Sequence, residues 1–339
     1  MIEKAKEWIE RGRTVTLATV IATWGSSPRP VGSQLVIDDE GRFEGSVSGG
    51  CIEGAVVAEA LDVIDTGVPR RVFYGVTQDQ AWEVGLACGG EIEIYVEKVQ
   101  WGSALDRLIE LKGAGRSACL ITDLNSGEKR VIPLDDSVAL DLLQGKLRSS
   151  VETFKHSERN RVVDIDGRAM FLHSFHPAPQ VIIIGAVHIA KALAQYASIA
   201  GYGVLIIDPR EAFANAVRFP DVPINTEWPD EALKRMDIHS RTAIVTLTHD
   251  PKLDDPALEV ALRSGAFYIG SLGGRKTHSE RLERLKQRGF TDDMVSRIHG
   301  PVGLNIGAIS PEEIAIAIMA QITDVRRNKN EWKKNSIPV

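Results

Sequence analysis

The chain has 339 residues, 43% of them hydrophobic and 25% charged, which is enough for two domains rather than one small core. A formal net charge of -6 gives no long-range attraction to phosphate backbones or anionic lipid, so neither nucleic acid nor a membrane surface is an expected partner. Cys51, Cys88 and Cys119 are an odd number without zinc-finger spacing, which argues against a disulfide framework or a structural zinc site.

Taken in chain order, "MIEKAKEWIERGR" has helical apolar spacing and is charged throughout, without the apolar core of a secretory signal. No later run approaches a membrane span, so a cytoplasmic location is expected. "TVTLATVIAT" (14–23) is rich in the β-branched residues of a buried strand. The turn-rich "WGSSPRPVGS" follows, then a hairpin in "QLVIDDEGRFEGSVS" (34–48) closed at Asp39, Glu40 and Gly41. A helix runs from Cys51, and "RRVFYGV" and "EIEIYVEKV" read as further strands, which makes the first domain mixed α/β. "GRTVTLAT" at 12–19 is echoed by "GRSACLIT" at 115–122, each after an amphipathic segment. The echo suggests related helix–strand units within one sheet, with Cys119 in its core.

In "HSFHPAPQ" (173–180) two prolines in three residues interrupt the pattern, and the strand "VIIIG" starts at once. The domain boundary is placed there, giving a first domain at 1–175 and a second at 176–339, with His173 and His176 in the linker. Strands and helices then alternate: "HIAKALAQYASIAG", "YGVLIID", a helix after Pro209, "RTAIVTLT", "PALEVALRSG" and "AFYIGSLGG". That alternation is the signature of an α/β, Rossmann-like, doubly wound parallel sheet. A glycine-rich approach in "IHGPVGLNIGAISPEEIA" leads to a helix capped by Ser310.

Gly185, Val187 and Ala190 occupy the three dinucleotide-fingerprint positions, with Val187 branched where a pyrophosphate comes closest. Asp208 ends the second strand, where an acid contacts a ribose hydroxyl or simply caps the next helix. NAD or another nucleotide, bound weakly, and no nucleotide at all are both open on these residues. His188 and Arg210 flank the same loops; Thr248 and His249 follow the third strand, and Gly270, Gly273, Gly274 and Arg275 the fourth. Such turns at the carboxyl ends of parallel strands suggest an anion site. His188, His249 and His299 show no metal-ligand spacing.

In the first domain, Cys51 stands at a helix N-terminus, where unpaired N–H groups and the helix dipole favour a thiolate. Ser48, Gly49 and Gly50 before it leave the backbone open to an anion. Cys88, Gly89 and Gly90 form a second such turn, and with Ser26, Ser27 and Arg29 they make a cradle for phosphate or sulfur chemistry. Packing alone also accounts for each cysteine separately.

"ATVIATWGSSPRPVGSQLVI", "GSVSGGCIEGAVVAEA" and "GLACGGEIEIYVE", followed by "IIIGAVHIAKALAQYASIAGYGVLIIDPR", "THDP", "YIGSLGGRKTH" and "IHGPVGLNIGAISPEEIAIAI", resemble the xanthine dehydrogenase accessory factors, the XdhC/CoxI family, over both domains. The resemblance implies a cytoplasmic protein that binds molybdenum cofactor and helps it acquire a terminal sulfido ligand with a cysteine desulfurase. It also implies delivery to a xanthine dehydrogenase-type apoenzyme, with Cys51 handling sulfur or ligating molybdenum beside the glycine turns. Val187 stands where the family usually carries glycine. Molybdopterin bears a phosphate and a dithiolene-bound metal, which suits N–H donors, an arginine and a soft thiolate. Ligand clefts favour domain interfaces, so residues 248–250 and 270–275 are expected to face the Cys51 turn, within one chain or across a homo-oligomer. Two alternatives use the second domain alone: an NAD-dependent oxidoreductase with His249 or His299 as acid/base, or a nucleotide-sensing module.

Overall fold

In the computed structural model, which describes residues 1–25, 29–75, 90–157 and 159–327, the first unit, Met1–Pro177, is built from two modules of like connectivity. The first comprises α1 (Ile2–Glu10), β1 (Val15–Trp24), β2 (Gln34–Asp38), β3 (Phe43–Gly45), α2 (Glu53–Thr66), β4 (Arg70–Tyr74) and β5 (Glu91–Lys98). Its antiparallel sheet has the order β3, β2, β1, β5, β4. The second comprises α3 (Ser103–Gly113), β6 (Ala118–Asp123), β7 (Lys129–Pro133), α4 (Ser137–Asp141), α5 (Gly145–Ser157), β8 (Arg161–Ile165) and β9 (Arg168–Phe175), ordered β7, β6, β9, β8.

The sequence echo marks the joint that opens each module. Gly12 and Gly115 both take left-handed φ, +80° and +68°, between helix and strand. The arginine after each glycine then pairs with an acid beyond the hairpin, Arg13 with Asp39 at 2.7 Å and Arg116 with Asp135 at 2.8 Å. One expectation is corrected here, because the two units lead separate sheets. β1 pairs with β2 and β5, and β6 with β7 and β9, so each module satisfies its central strand from its own chain.

Apolar residues of the first sheet, among them Ala18, Val20, Leu35 and Ile37, pack on Val56, Ala60 and Val63 of α2. In the second module Cys119, Ile121 and Leu172 pack on Val151 and Phe154 of α5, and burial pushes the Cys119 thiol up to about 12. His173 is likewise inside β9 rather than in a linker. Its ring lies 5.5 Å from Phe171 and 4.3 Å from Phe175, and burial, then the Lys112 charge, pushes it down to about 3.

The second unit, from Ala178, contains β10 (Gln180–Ile184), α6 (His188–Ile199), β11 (Gly203–Ile207), β12 (Ile224–Asn225), α7 (Pro229–Lys234), β13 (Thr242–Thr246) and α8 (Pro251–Arg263). It continues through β14 (Tyr268–Ser271), α9 (Arg275–Gln287), α10 (Asp292–Val295), β15 (Ile298–His299) and α11 (Pro311–Arg327). The sheet is parallel, ordered β12, β11, β10, β13, β14, β15, and therefore doubly wound with its reversal between β10 and β13. Val181, Ile183 and Val245 face a core with α6 and α11, while Ile182, Ile184 and Ile244 face one with α7 and α8. Burial on both faces is why these strands read as unbroken apolar runs. Ser310 caps α11: its Oγ accepts from the Glu313 amide at 3.2 Å, and the Glu313 carboxylate accepts from the Ser310 amide at 3.0 Å.

The helix expected after Pro209 does not form; residues 211–220 run in turns. Asp208 holds Arg210 through backbone and side chain, and the backbone closes separate turns, the Ala214 amide on the Arg210 carbonyl and the Phe219 amide on the Asn215 carbonyl, with the Asn215 side chain bonding the Ala212 carbonyl. Among the described residues no helix is long and apolar enough to cross a membrane.

Candidate functional site

Strand register brings three connections of the first module to one end of its sheet. Trp24, the last residue of β1, sits opposite Glu91, the first of β5. Gly45 pairs with Leu35 at the start of β2, and the Ser46 amide bonds the Gln34 carbonyl at 3.1 Å. Exposed Arg29, the turn at 46–52 and buried Gly90 therefore share that end. Ser26, Ser27, Cys88 and Gly89 lie outside the described residues.

The turn before α2 is organised by Glu53, a residue that sequence reading missed. Its Oε1 accepts from the Ser46 hydroxyl at 2.8 Å and from the Ser48 amide at 3.0 Å. Its Oε2 accepts from the Gly50 amide at 2.9 Å and from the Ser48 hydroxyl. Burial pushes this carboxyl up, but the bonds from Ser48 and Ser46 outweigh it and hold it at about 2. The Ser48 oxygen in turn accepts from the amides of Cys51 and Ile52 at 3.0 and 2.9 Å. Gly49 and Gly50, at φ +78° and +111°, make the bend that aims these amides inward.

The nest expected to hold a ligand's anion thus holds the protein's own carboxylate. What remains directed outward is Cys51, exposed, one residue ahead of the N-cap Ile52. Its backbone is fixed while its thiol faces solvent, an arrangement suited to offering one soft ligand. Among the described residues no group of three His, Cys, Asp or Glu is placed to hold a metal ion by itself. The one sequence signal for Glu53 is an acid in the first helical turn shortly after the cysteine, a position that helix ends favour in any case.

In the second unit, a Cβ on Gly185 would stand 2.6 Å from the Thr248 methyl, so the loops after β10 and β13 touch. Asp208 is buried and accepts four hydrogen bonds: the Ala186 amide at 2.8 Å, and the Arg210 amide, Nε and Nη2 at 3.0, 2.9 and 2.7 Å. A carboxylate has about four lone-pair sites, so none is left for a ribose hydroxyl. The NAD reading loses its main ligand, and Asp208 is an internal clamp between the first two strands.

His188 and His249 are exposed, the latter at φ +61°. Gly270 is a packing position, since a Cβ there would meet Val302 at 2.6 Å and the Tyr268 ring at 2.8 Å. Gly273 and exposed Arg275 lie at the N-terminus of α9. His299 stacks on Tyr268 at 4.7 Å, and burial pushes it down to about 4, which keeps it neutral and unsuited to acid/base work in solvent. Two buried groups that sequence reading missed, Asp254 and Arg281, adjoin the Thr248 and Gly273 loops. Their signal is position: Arg281 falls four residues before Leu285 on the buried stripe of α9.

The sequence model of the XdhC and CoxI family matches residues 8–75, and that of the XdhC Rossmann domain matches residues 181–322. The molybdenum cofactor insertion chaperone PaoD of Escherichia coli (strain K12) is 27% identical over 332 residues, spanning 96% of this chain and 88% of PaoD. A probable xanthine dehydrogenase subunit from Bacillus subtilis (strain 168) is 24% identical, over 94% of this chain and 95% of its own. A crystal structure of a xanthine dehydrogenase from Bacillus halodurans superposes with a TM-score of 0.73 at 26% identity, covering 99% of this chain and 98% of that one. The Cys51 turn falls in the first matched segment and Arg281 in the second.

Proposed function

The chain belongs to the XdhC and CoxI family, and on that premise we propose that it is an accessory protein that holds molybdenum cofactor as cargo and hands it to a molybdenum hydroxylase. PaoD, similar over nearly the whole chain, carries the name of an insertion chaperone, which supports this role. The observation that carries the reading is the outward thiol of Cys51 on a backbone pinned by Glu53 and Ser48. Sulfur is a soft donor suited to molybdenum, and Arg29, exposed at the same end of the sheet, is a cation suited to the cofactor's phosphate. One thiol ligand holds cargo without caging it, as transfer requires. Sulfuration by a cysteine desulfurase while the cofactor is held, a client of the xanthine dehydrogenase type and work in the cytoplasm complete the proposal.

Cys51→Ala removes one exposed atom, so stability should stay within about 0.5 kcal/mol of the parent. Molybdenum per chain, measured by elemental analysis after purification from cells that make the cofactor, should fall to background. Full metal content in that variant, together with undiminished activation of an apo-hydroxylase, would remove Cys51 from the function.

A further inference from the structure

The second unit carries a polar cluster that cofactor handling at Cys51 does not use. Arg281 is 2% exposed, and its Nη2 donates to the Leu272 carbonyl at 2.8 Å. The same atom lies 3.5 Å from where a Cβ on Gly273 would stand, so the guanidinium reaches back to the N-terminus of α9. Its Nε and Nη1 are buried with no hydrogen-bond partner among the described residues.

The neighbouring charges leave this gap open. Asp254, 1% exposed, spends its Oδ1 on the Thr248 hydroxyl at 2.7 Å, while its Oδ2 has no partner and stands 4.0 Å from Arg281. Asp255 is committed to Arg284 through bonds of 2.7 and 3.0 Å. His278, one turn before Arg281, has its Nδ1 buried without a partner as well. Burial pushes the Asp254 carboxyl up and the Arg281 guanidinium down, and their mutual attraction across 4.0 Å offsets this only in part.

A helix N-terminus and a buried guanidinium with two orphaned donor nitrogens ask for one chemistry, an oxyanion that accepts several hydrogen bonds. When ionised, Asp254 Oδ2 adds a further demand, because a carboxylate oxygen only accepts, so the oxyanion must also donate. Gly274, the N-cap of α9, offers no side-chain cap, and nothing lies within 4 Å of its Cβ position. We propose that this cluster is a phosphate-binding site, in which Arg281 and the first amides of α9 hold a phosphate group and Asp254 accepts its protonated oxygen. The ligand is either free phosphate or a phosphate monoester on a larger molecule. Sulfate, unprotonated near neutrality, has no hydrogen to give Asp254 and is rejected.

The site is tested on the full chain free of molybdenum, so that its failure and the failure of the Cys51 reading remain separate. Thermal unfolding is followed with inorganic phosphate or sulfate at matched ionic strength, since both anions stabilise proteins generally and only their difference reports the site. Phosphate should raise the midpoint more than sulfate does. Arg281→Lys should weaken phosphate at least about tenfold, having lost the fork of donors. Asp254→Asn, able to donate, should abolish the preference over sulfate. Hydrogen exchange at amides 273–277 should slow in phosphate in the unmodified chain, a readout that survives if the variants do not fold. Adenosine monophosphate acting with the same Arg281 dependence would assign the site to a monoester; phosphate acting through Arg281 while adenosine monophosphate does not would assign free phosphate. Equal effects of phosphate and sulfate on the unmodified chain, or phosphate binding unchanged in Arg281→Lys, would overturn the proposal.

Discussion

Glu53 touches Ser46, Val47, Ser48 and Gly50, so a single carboxylate sets the path of the chain into the Cys51 turn. Glu53→Gln keeps the volume but replaces one accepting oxygen with a donor facing donors, which should cost about 1–3 kcal/mol near neutrality. Because the folded-state value is depressed from 4.5 to about 2, this stabilisation is complete above 4.5 and is lost as pH falls toward 2. Denaturant titrations at several pH values should therefore show the parent and Glu53→Gln converging in acid. A constant gap down to pH 2 would mean that the carboxylate's charge contributes nothing. His173 and His299, pushed down to about 3 and about 4, act earlier: both are neutral in the fold, and their contribution fades as pH falls below 6.5. The parent should accordingly begin to weaken below 6.5, and Glu53→Gln should lose less than the parent between 4.5 and 2, keeping the share of other depressed carboxyls such as Asp38 and Asp208.

At the scale of elements, the paired joints of the first unit give a controlled comparison. Gly12 and Gly115 are both left-handed, and neither has an atom within 4 Å of its Cβ position, so substitution probes the backbone alone. Gly12→Ala and Gly115→Ala should each cost about 1–2 kcal/mol, the left-handed penalty of an ordinary residue. Gly54→Ala, equally uncrowded but in the first turn of α2, should instead stabilise by up to about 1 kcal/mol. Urea midpoints distinguish these signs directly, and like behaviour at all three sites would refute the shared-joint account. These joints were legible in the sequence because helix, glycine and β-branched strand are local signals. Which strand pairs with which was not, since β1 meets β5 across some seventy intervening residues and no short-range pattern encodes that choice. The parallel strands from Val181 onward were plain for the opposite reason: burial on both faces writes itself as continuous apolar runs. Residues 211–220 misled because Asp208 and Arg210 close on each other in space, overriding a helix that their spacing alone allows. Cys51 stood out as a lone thiol by a turn, whereas Glu53, Asp254 and Arg281 matter through contacts that exist only once loops have folded back.

For the whole molecule, each unit contains what a domain needs to stand alone. The first has two sheets, each with helices over an apolar face, and a further core where Ile2 and Ala5 of α1 meet Leu105, Leu108 and Leu111 of α3. The second covers both faces of a six-stranded sheet, with α6 and α11 on one side and α7 and α8 on the other. Both fall within the size at which single domains close a core. Residues 1–177 and 178–339, expressed separately, should each unfold in one cooperative transition. The two chemistries should divide with them. If molybdenum is held through Cys51 as proposed, its retention should travel with 1–177, and if phosphate is held through Arg281, stabilisation by phosphate should travel with 178–339. Elemental analysis and melting in phosphate on the two fragments check both assignments at once. If 1–177 folds but carries no metal, while the full chain does, then Cys51 and its turn are insufficient and the cargo needs groups from the second unit.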